Sequence, residues 1–106
     1  MKRTITLLLL FFTLLSVSAK VKITRIDPTD WYVGMKDPTL QLMVYGEGIR
    51  DAEVSTAYPH ARIDSLVRLD SPNYLLVYMN LEGAQPGEMR LQFKLNGSKL
   101  TERYVL

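Results

Sequence analysis

The sequence DPTDWYVGMKDP, residues 27–38, is the stretch on which the interpretation of the whole chain depends. It contains the only Trp of the chain, two of its five Pro residues and an adjacent aromatic pair, Trp31 and Tyr32. The two prolines lack a backbone donor, so neither end of the stretch can continue as a central strand. Gly34 permits a left-handed backbone that its neighbours would resist. The stretch therefore predicts a rigid loop that holds Trp31 and Tyr32 in a fixed place.

The aromatic side chains of this loop have two possible roles. Large aromatics dominate hydrophobic cores, so Trp31 can simply plug one end of a β core. Tyr and Trp also combine an apolar ring with a polar tip, which suits protein interfaces and sugar rings alike. We therefore regard Trp31, Tyr32 and Met35 as candidate interface residues. Tyr58, which lies beside a predicted turn, is the fourth candidate for exposed contact.

The first nineteen residues are typical of a secretory signal peptide. A basic start precedes an apolar run over residues 5–15, and Val17 and Ala19 occupy the −3 and −1 positions for cleavage after Ala19. A membrane anchor is the alternative, but a spanning helix needs about 20 apolar residues. We expect a cleaved signal helix over residues 1–19 and an exported, periplasmic domain over residues 20–106, with no membrane attachment after cleavage.

Composition excludes several classes of protein. A chain of 106 residues is limited to one domain. The absence of Cys excludes a lipoprotein anchor and disulfide bonds, so the exported domain must rely on its hydrophobic core. Without Lys2 and Arg3 the 13 basic residues become 11, equal to the 11 acidic residues. No basic cluster remains in residues 20–106, which argues against a nucleic-acid partner.

Apolar and polar residues alternate in short runs on both sides of the loop, as in half-buried strands. The predicted strands cover residues 20–26, 39–45, 52–58, 63–69, 74–81, 89–95 and 99–106. Turn signals separate them at intervals of about 8–12 residues, and no helical stretch is predicted in the mature part. This pattern favours an all-β fold, an immunoglobulin-like antiparallel β-sandwich of about seven strands.

Three local predictions can be compared directly with a structure. The odd-numbered residues of 63–69 should share one face, with Asp64 and Arg68 facing away. Residues 74–81 are nearly all apolar, so we expect a central strand covered on both faces. Asn96-Gly97 is the strongest signal for a two-residue hairpin in the chain.

Catalysis is poorly supported by the residue types present. His60 is the only His, it lies in a Tyr-Pro-His turn, and there is no Cys, so neither a nucleophilic triad nor a zinc site can be assembled. Asp51 and Glu53 could share one face of a strand, and Asp27 and Asp30 lie close together in sequence. Paired carboxylates serve glycosidases, but scattered acids produce such pairs by chance. We predict no catalytic residue, no metal site and no cofactor.

Two motifs give the chain a resemblance to a known family. Residues 28–35 read PTDWYVGM, and residues 40–46 read LQLMVYG, followed by Ile49. The chain resembles the N-terminal domain of neopullulanases and cyclomaltodextrinases, which are α-glucan hydrolases of glycoside hydrolase family 13. The resemblance is strongest to periplasmic neopullulanases of Gram-negative starch-utilisation systems, and it extends from about residue 20 to the C-terminus.

The resemblance implies an immunoglobulin-like sandwich placed before a catalytic TIM barrel. In that family the N-terminal domain often mediates dimerisation and helps to wall the active-site cleft, while the catalytic carboxylates lie on the barrel. None of that barrel is present in residues 1–106, so the chain alone is not expected to hydrolyse a glucan. The sequence stops within or just after a strand and has no polar tail. We therefore expect an N-terminal piece of a longer protein.

Two alternatives stay open at this point. The first is a free-standing carbohydrate-binding module that uses an aromatic platform to bind maltooligosaccharides. The second is an exported sandwich that only mediates protein contacts. The apolar and aromatic loop favours docking or protein contact over sugar binding, because sugar platforms usually need several coplanar exposed rings.

Overall fold

A computed structural model describes residues 21–106, which form seven β-strands and one turn of 3-10 helix. The strands are β1 (Arg25–Asp27), β2 (Thr39–Tyr45), β3 (Glu53–Ser55), β4 (Arg62–Arg68), β5 (Tyr74–Asn80), β6 (Glu88–Leu95) and β7 (Ser98–Val105), and the 3-10 turn is Ile49–Asp51. The signal helix predicted for residues 1–19 lies outside the described residues. Among the described residues no helix is long and apolar enough to cross a membrane.

The strands form two antiparallel sheets. One sheet has the order β1-β2-β5-β4 and the other has the order β3-β6-β7. With the strands lettered A to G along the chain, these orders are A-B-E-D and C-F-G, the arrangement of an immunoglobulin constant-type sandwich. The predicted all-β, immunoglobulin-like fold of seven strands is therefore confirmed.

The core lies between the sheets and follows directly from the strand alternation. Every second residue of β2, β5 and β6 is buried, and its neighbours point to the outer faces. The buried side chains of these three strands are Leu40, Leu42, Val44, Leu75, Val77, Met79, Met89, Leu91 and Phe93. No polar or charged residue of the described chain is buried, so the core is held by apolar packing alone.

The hairpin between β6 and β7 has the predicted geometry. Asn96 and Gly97 have φ angles of 52° and 79°, so both central residues are left-handed, as a type I′ turn requires. The turn pairs Leu95 with Ser98 and sets an unbroken register of eight residue pairs. This register places Tyr104 opposite the buried Met89.

Two predicted strands are shorter than the sequence pattern suggested. The strand predicted over residues 20–26 is regular only as β1, although Val21 is buried and its backbone N–H donates to Ser98 Oγ at 3.1 Å. The strand predicted over residues 52–58 is regular only as β3. Beyond it the Thr56 hydroxyl donates to the Arg90 carbonyl at 2.8 Å, so a side chain replaces the strand ladder there.

The predicted facing of β4 is wrong because the strand contains an irregularity. The register with β5 shifts between Ile63 and Ser65, which is the signature of a β-bulge. One extra residue reverses the alternation that follows it. Leu66 therefore packs against the core, whereas Val67 and Leu69 are 37% and 38% exposed.

The outer face of the four-stranded sheet is apolar and uncovered by any other part of residues 21–106. β5 is an interior strand, as predicted, but only one of its faces is fully buried. We call the opposite side the apolar sheet face. It is formed by Met43, Tyr45, Val67, Tyr74, Leu76 and Tyr78. The prediction that β5 is covered on both faces is therefore wrong for the described chain.

Candidate functional site

The loop that joins β1 to β2, residues 28–38, crosses from one sheet to the other and is named here the Trp31 loop. The backbone N–H of Trp31 donates to the Val105 carbonyl at 3.1 Å, and Asp30 forms a parallel bridge with Val105. The Trp31 ring is half-buried and packs against the core. The core-plug interpretation of Trp31 therefore agrees with its position, and the same packing fixes the residues that follow it.

The far end of the Trp31 loop is closed by a carboxylate. Asp37 accepts hydrogen bonds from the Thr39 hydroxyl at 2.7 Å and from the Thr39 backbone N–H at 3.1 Å. These two bonds stabilise the ionised form and lower the pKa of Asp37. Gly34 has a φ of 76°, as its position in the sequence predicted. The loop is thus held at both ends and turns sharply in its middle.

The most exposed large apolar side chains of the described chain lie together at this loop. Tyr32 is 71% exposed and Met35 is 47% exposed. Val105, whose carbonyl holds Trp31, is 57% exposed. Sequence reasoning selected Tyr32 and Met35 but missed Val105. The available signal was its place as the only apolar residue on the outward face of β7, after Lys99, Thr101 and Arg103.

Tyr104 supports the loop from below. Its side chain is buried, and its hydroxyl donates to the Pro28 carbonyl at 2.8 Å. Burial raises the pKa of Tyr104 to about 12, and the nearby negative charge of Asp30 adds to the effect. A single phenol thus connects β7 to the first residue of the Trp31 loop.

This position of Tyr104 predicts a loss of stability in alkali. The folded chain keeps the phenol protonated up to about pH 12, whereas an unfolded Tyr loses its proton near pH 10. Stability from this group is therefore complete below pH 10 and declines as the pH rises from 10 to 12. Urea unfolding of the wild-type chain and of Tyr104→Phe at pH 9 and pH 11 measures it. The wild-type chain should lose more stability than the variant; equal losses would contradict this account.

Tyr58, the fourth predicted interface residue, belongs to a different surface. It is half-buried, packs against the core, and its hydroxyl donates to the Gln85 carbonyl at 2.6 Å. It lines a shallow polar groove of about 600 Å³ on the outer face of the three-stranded sheet, together with Arg90, Gln92 and Thr101. The structure brings Trp31, Tyr32 and Met35 into one loop but leaves Tyr58 apart from them.

The carboxylate pairs considered for catalysis are engaged in surface ion pairs. Asp51 ends the 3-10 turn and lies 3.4 Å from Arg50, so it does not share a strand face with Glu53, as the sequence had suggested. Glu53 lies 3.3 Å from Arg68. Asp27 lies in β1 and pairs with the neighbouring Arg25 at 2.7 Å. These contacts join exposed groups, for which ion pairing contributes little stability.

His60 is an exposed turn residue with a φ of 64°. Its ring lies beside Gly83, where an added Cβ would be 3.4 Å from Nδ1. Residues 21–106 contain no group of three or more His, Cys, Asp or Glu side chains arranged to hold a metal ion. The functional features of the described chain are therefore surfaces for contact.

Comparison with protein families gives a match over most of the chain. The sequence model of the family described as "Cyclomaltodextrinase, N-terminal" matches residues 25–106. The chain belongs to this family. The predicted resemblance is thus confirmed at the level of the cyclomaltodextrinase N-terminal domain, which includes the whole Trp31 loop and all seven strands.

Membership assigns a role to the domain as a whole. A cyclomaltodextrinase N-terminal domain is a non-catalytic part of a glycosidase, which agrees with the contact surfaces described above. For this domain the central question is which surface meets which partner. The Trp31 loop with Val105, and the apolar sheet face, are its two apolar surfaces.

Proposed function

We propose that this chain is the N-terminal domain of an exported, periplasmic α-glucan hydrolase of the neopullulanase and cyclomaltodextrinase type. Residues 1–19 are its signal peptide, and the mature domain begins at residue 20. It supports the breakdown of starch-derived oligosaccharides by docking on the catalytic TIM barrel and by helping two subunits to associate. It supplies no catalytic residue and binds no cofactor. The observation that carries the proposal is the family match over residues 25–106.

The Trp31 loop is the surface proposed to dock on the barrel. Its exposed side chains, Tyr32 and Met35, are of types enriched in the cores of protein interfaces. They stand on a loop that is fixed by Trp31 and by Tyr104, so little conformational entropy is lost when a partner binds. Val105 extends the same apolar patch from the end of β7.

The first test is the coding sequence downstream of codon 106. An in-frame continuation that encodes a TIM barrel supports the proposal. A stop codon at that point contradicts docking within one chain and leaves a small exported sandwich. In that case a titration with maltooligosaccharides becomes the deciding measurement.

Removing the exposed side chains of the loop should uncouple the domain from the barrel. We expect Tyr32→Ser with Met35→Ser, in the complete hydrolase, to lower the unfolding temperature of the N-terminal domain and to split one calorimetric transition into two. Loss of a central aromatic contact typically costs about 2 kcal/mol or more. Differential scanning calorimetry and limited proteolysis between the domains measure this effect.

The matched control for this experiment lies on the polar sheet. Gln92→Ser with Lys94→Ser changes two exposed residues of β6 and should leave a single transition. Trp31 is unsuitable as the main test, because it packs against the core and its removal would also destabilise the fold. Unchanged coupling in the Tyr32 and Met35 double variant would reject the Trp31 loop as the docking surface.

The polar groove favours carbohydrate binding as a second candidate function. Arg90, Gln92 and Thr101 line it, and the ring of Tyr58 forms part of its wall. Such polar groups can hydrogen-bond sugar hydroxyls, while a tyrosine ring can stack on an apolar sugar face. Millimolar maltotriose should then shift the NMR signals of these residues, and Tyr58→Ala should abolish the shifts. Absence of any shift at that concentration would remove this candidate.

A further inference from the structure

We infer that the apolar sheet face is a self-association surface, which pairs with the same face of a second copy of this chain. The inference deepens the proposed function by assigning subunit association to one surface, and it rests on that part of the proposal alone. It is independent of barrel docking, which involves the Trp31 loop.

The first step is the composition of the face. Register places its side chains in rows across β2, β5 and β4: Tyr45 beside Tyr74, then Met43, Leu76 and Val67, then Gln41, Tyr78 and Ser65. The Tyr45 and Tyr74 rings touch, with centroids 4.9 Å apart. A contiguous apolar patch on an otherwise polar surface marks an interaction site.

The second step is the origin of the patch. The bulge between Ile63 and Ser65 turns Val67 outward and so completes the middle row. Bulges commonly re-aim side chains at functional edges of sheets. Without the bulge, the alternation read from the sequence would have placed Val67 on the same face as the core-facing Ile63.

The third step identifies the occupant. Leu76 lies in the middle row on an interior strand, with a tyrosine two residues away on either side, at positions 74 and 78. A two-fold axis along the middle row would place Leu76 on its own copy, because an isologous contact repeats the same patch on both partners. The row of Tyr45 and Tyr74 would then face Gln41, Tyr78 and Ser65 of the copy. The phenol hydroxyls of one row thereby meet amide and hydroxyl partners in the other.

The charges at the rim agree with a self-complementary surface. Arg25 and Asp27 form an ion pair of 2.7 Å on β1, and Arg62 and Asp64 form one of 2.7 Å on β4. Each edge is therefore locally neutral, and a second copy meets no unbalanced charge. A partner of strong net charge would find no complement on this face.

The size of the face predicts a weak dimer. Seven-residue strands at the usual spacings give a sheet about 23 Å long and about 15 Å across. The resulting contact is well below the roughly 800 Å² that each partner buries in a standard stable interface. We therefore expect association in the micromolar to millimolar range, which an additional contact in a complete hydrolase would strengthen.

Sedimentation of the full chain over this concentration range tests the inference. The average mass should rise towards that of a dimer, and Val67→Lys or Leu76→Arg should weaken dimerisation at least about tenfold, or about 1.4 kcal/mol. Gln92→Lys on the opposite sheet is the control and should dimerise as the wild type does. Val67 is already 37% exposed, so its Lys variant is expected to fold.

Cross-linking defines the geometry, because the chain contains no Cys. Facing sheets lie about 10 Å apart, so a short bis-maleimide can join Leu76→Cys to its own copy but not Gln92→Cys. Positions 74 and 78 are about 13 Å apart along the strand. Tyr74→Cys mixed with Tyr78→Cys should therefore cross-link more than either variant alone.

Three results would overturn the inference. A chain that stays monomeric at millimolar concentration has no such dimer. Equal weakening by Gln92→Lys and Leu76→Arg would show that the contact is not confined to this face. Loss of the dimer in the Tyr32 and Met35 double variant, with none in Leu76→Arg, would move self-association to the Trp31 loop and leave the proposed function intact.

Discussion

Replacing Tyr104 with Ala should destabilise the domain by about 3–5 kcal/mol, the usual cost of removing a buried aromatic side chain. Tyr104 is 2% exposed, and it is one of the largest side chains in the core. A small domain has a total stability of about 5–15 kcal/mol, so this loss approaches the whole at the lower end. We expect a large fraction of Tyr104→Ala molecules to be unfolded at 37 °C.

The Tyr104→Phe variant separates the ring from its hydroxyl. Phe keeps the packing but leaves the Pro28 carbonyl without its donor. Loss of this one hydrogen bond should cost about 1–2 kcal/mol, since a partly buried acceptor is left unpaired. Trp31 is the only Trp in the chain, so its fluorescence reports directly on the loop that this bond holds.

The matched control for both variants is Tyr74→Ala. Tyr74 is a tyrosine of β5 that is half-buried on the outer face of the sheet, outside the core. Its removal should cost clearly less than the removal of Tyr104. Urea unfolding followed by Trp31 fluorescence and by far-ultraviolet circular dichroism measures all three variants. Equal destabilisation by Tyr74→Ala and Tyr104→Ala would show that Tyr104 does not have the central packing role assigned to it.

Much of the fold was predictable because its signals are local. Residues 39–45 and 89–95 alternate in the period of a strand with one buried face, and both are strands. Asn96-Gly97 specifies its turn through backbone preferences of only two residues. Each of these signals acts within a few residues, so no tertiary information is needed to read it.

The facing of β4 was not predictable in the same way. Ile63, Val67 and Leu69 are apolar at odd-numbered positions, and strict alternation would put all three on one face. The bulge before Ser65 inserts one residue, and nothing in the local sequence requires it. Pairing with β5 and the packing of Leu66 decide the register instead. Such a choice is made by tertiary contacts and reverses every side chain that follows.

The candidate site was predictable in part for a related reason. Proline, glycine and adjacent aromatics marked the Trp31 loop, and Tyr32 and Met35 are exposed there as expected. Val105 reaches the same patch because the end of β7 pairs with Asp30, across more than seventy residues of sequence. Tyr58 was selected for its position beside a turn, but its hydroxyl is bonded to a backbone carbonyl. Long-range pairing and side-chain satisfaction are the two properties that sequence patterns do not carry.

Replacing Gly46 with Ala is the second change for which we expect a large effect. Gly46 follows β2 and is buried beneath the segment formed by residues 21–24. An added Cβ would lie 3.2 Å from Ile23 Cα and much closer to the Lys22 carbonyl oxygen. Both neighbours are backbone, so the segment itself must move. Overpacking of this kind costs about 1–3 kcal/mol and sometimes more, and we expect a value near 3.

Movement of this segment would break the contacts that attach it to both sheets. The Thr24 N–H donates to the Tyr45 carbonyl at 2.8 Å, and Val21 is 7% exposed with its N–H bonded to Ser98. One added methyl group therefore acts on the attachment of the whole segment. For a domain of this size about 1 kcal/mol corresponds to about 4–8 °C in Tm, so thermal unfolding should show a decrease of more than 10 °C.

Gly87→Ala is a matched control with the same added atom and a different obstacle. The nearest atom to its Cβ is the Tyr58 hydroxyl oxygen, at the end of a side chain that can rotate. The expected cost is the hydrogen bond from Tyr58 to the Gln85 carbonyl, about 1 kcal/mol. A Gly46→Ala variant that is as stable as Gly87→Ala would mean that the segment yields easily. The backbone of residues 21–24 would then not be fixed against β2 in the way that this contact requires.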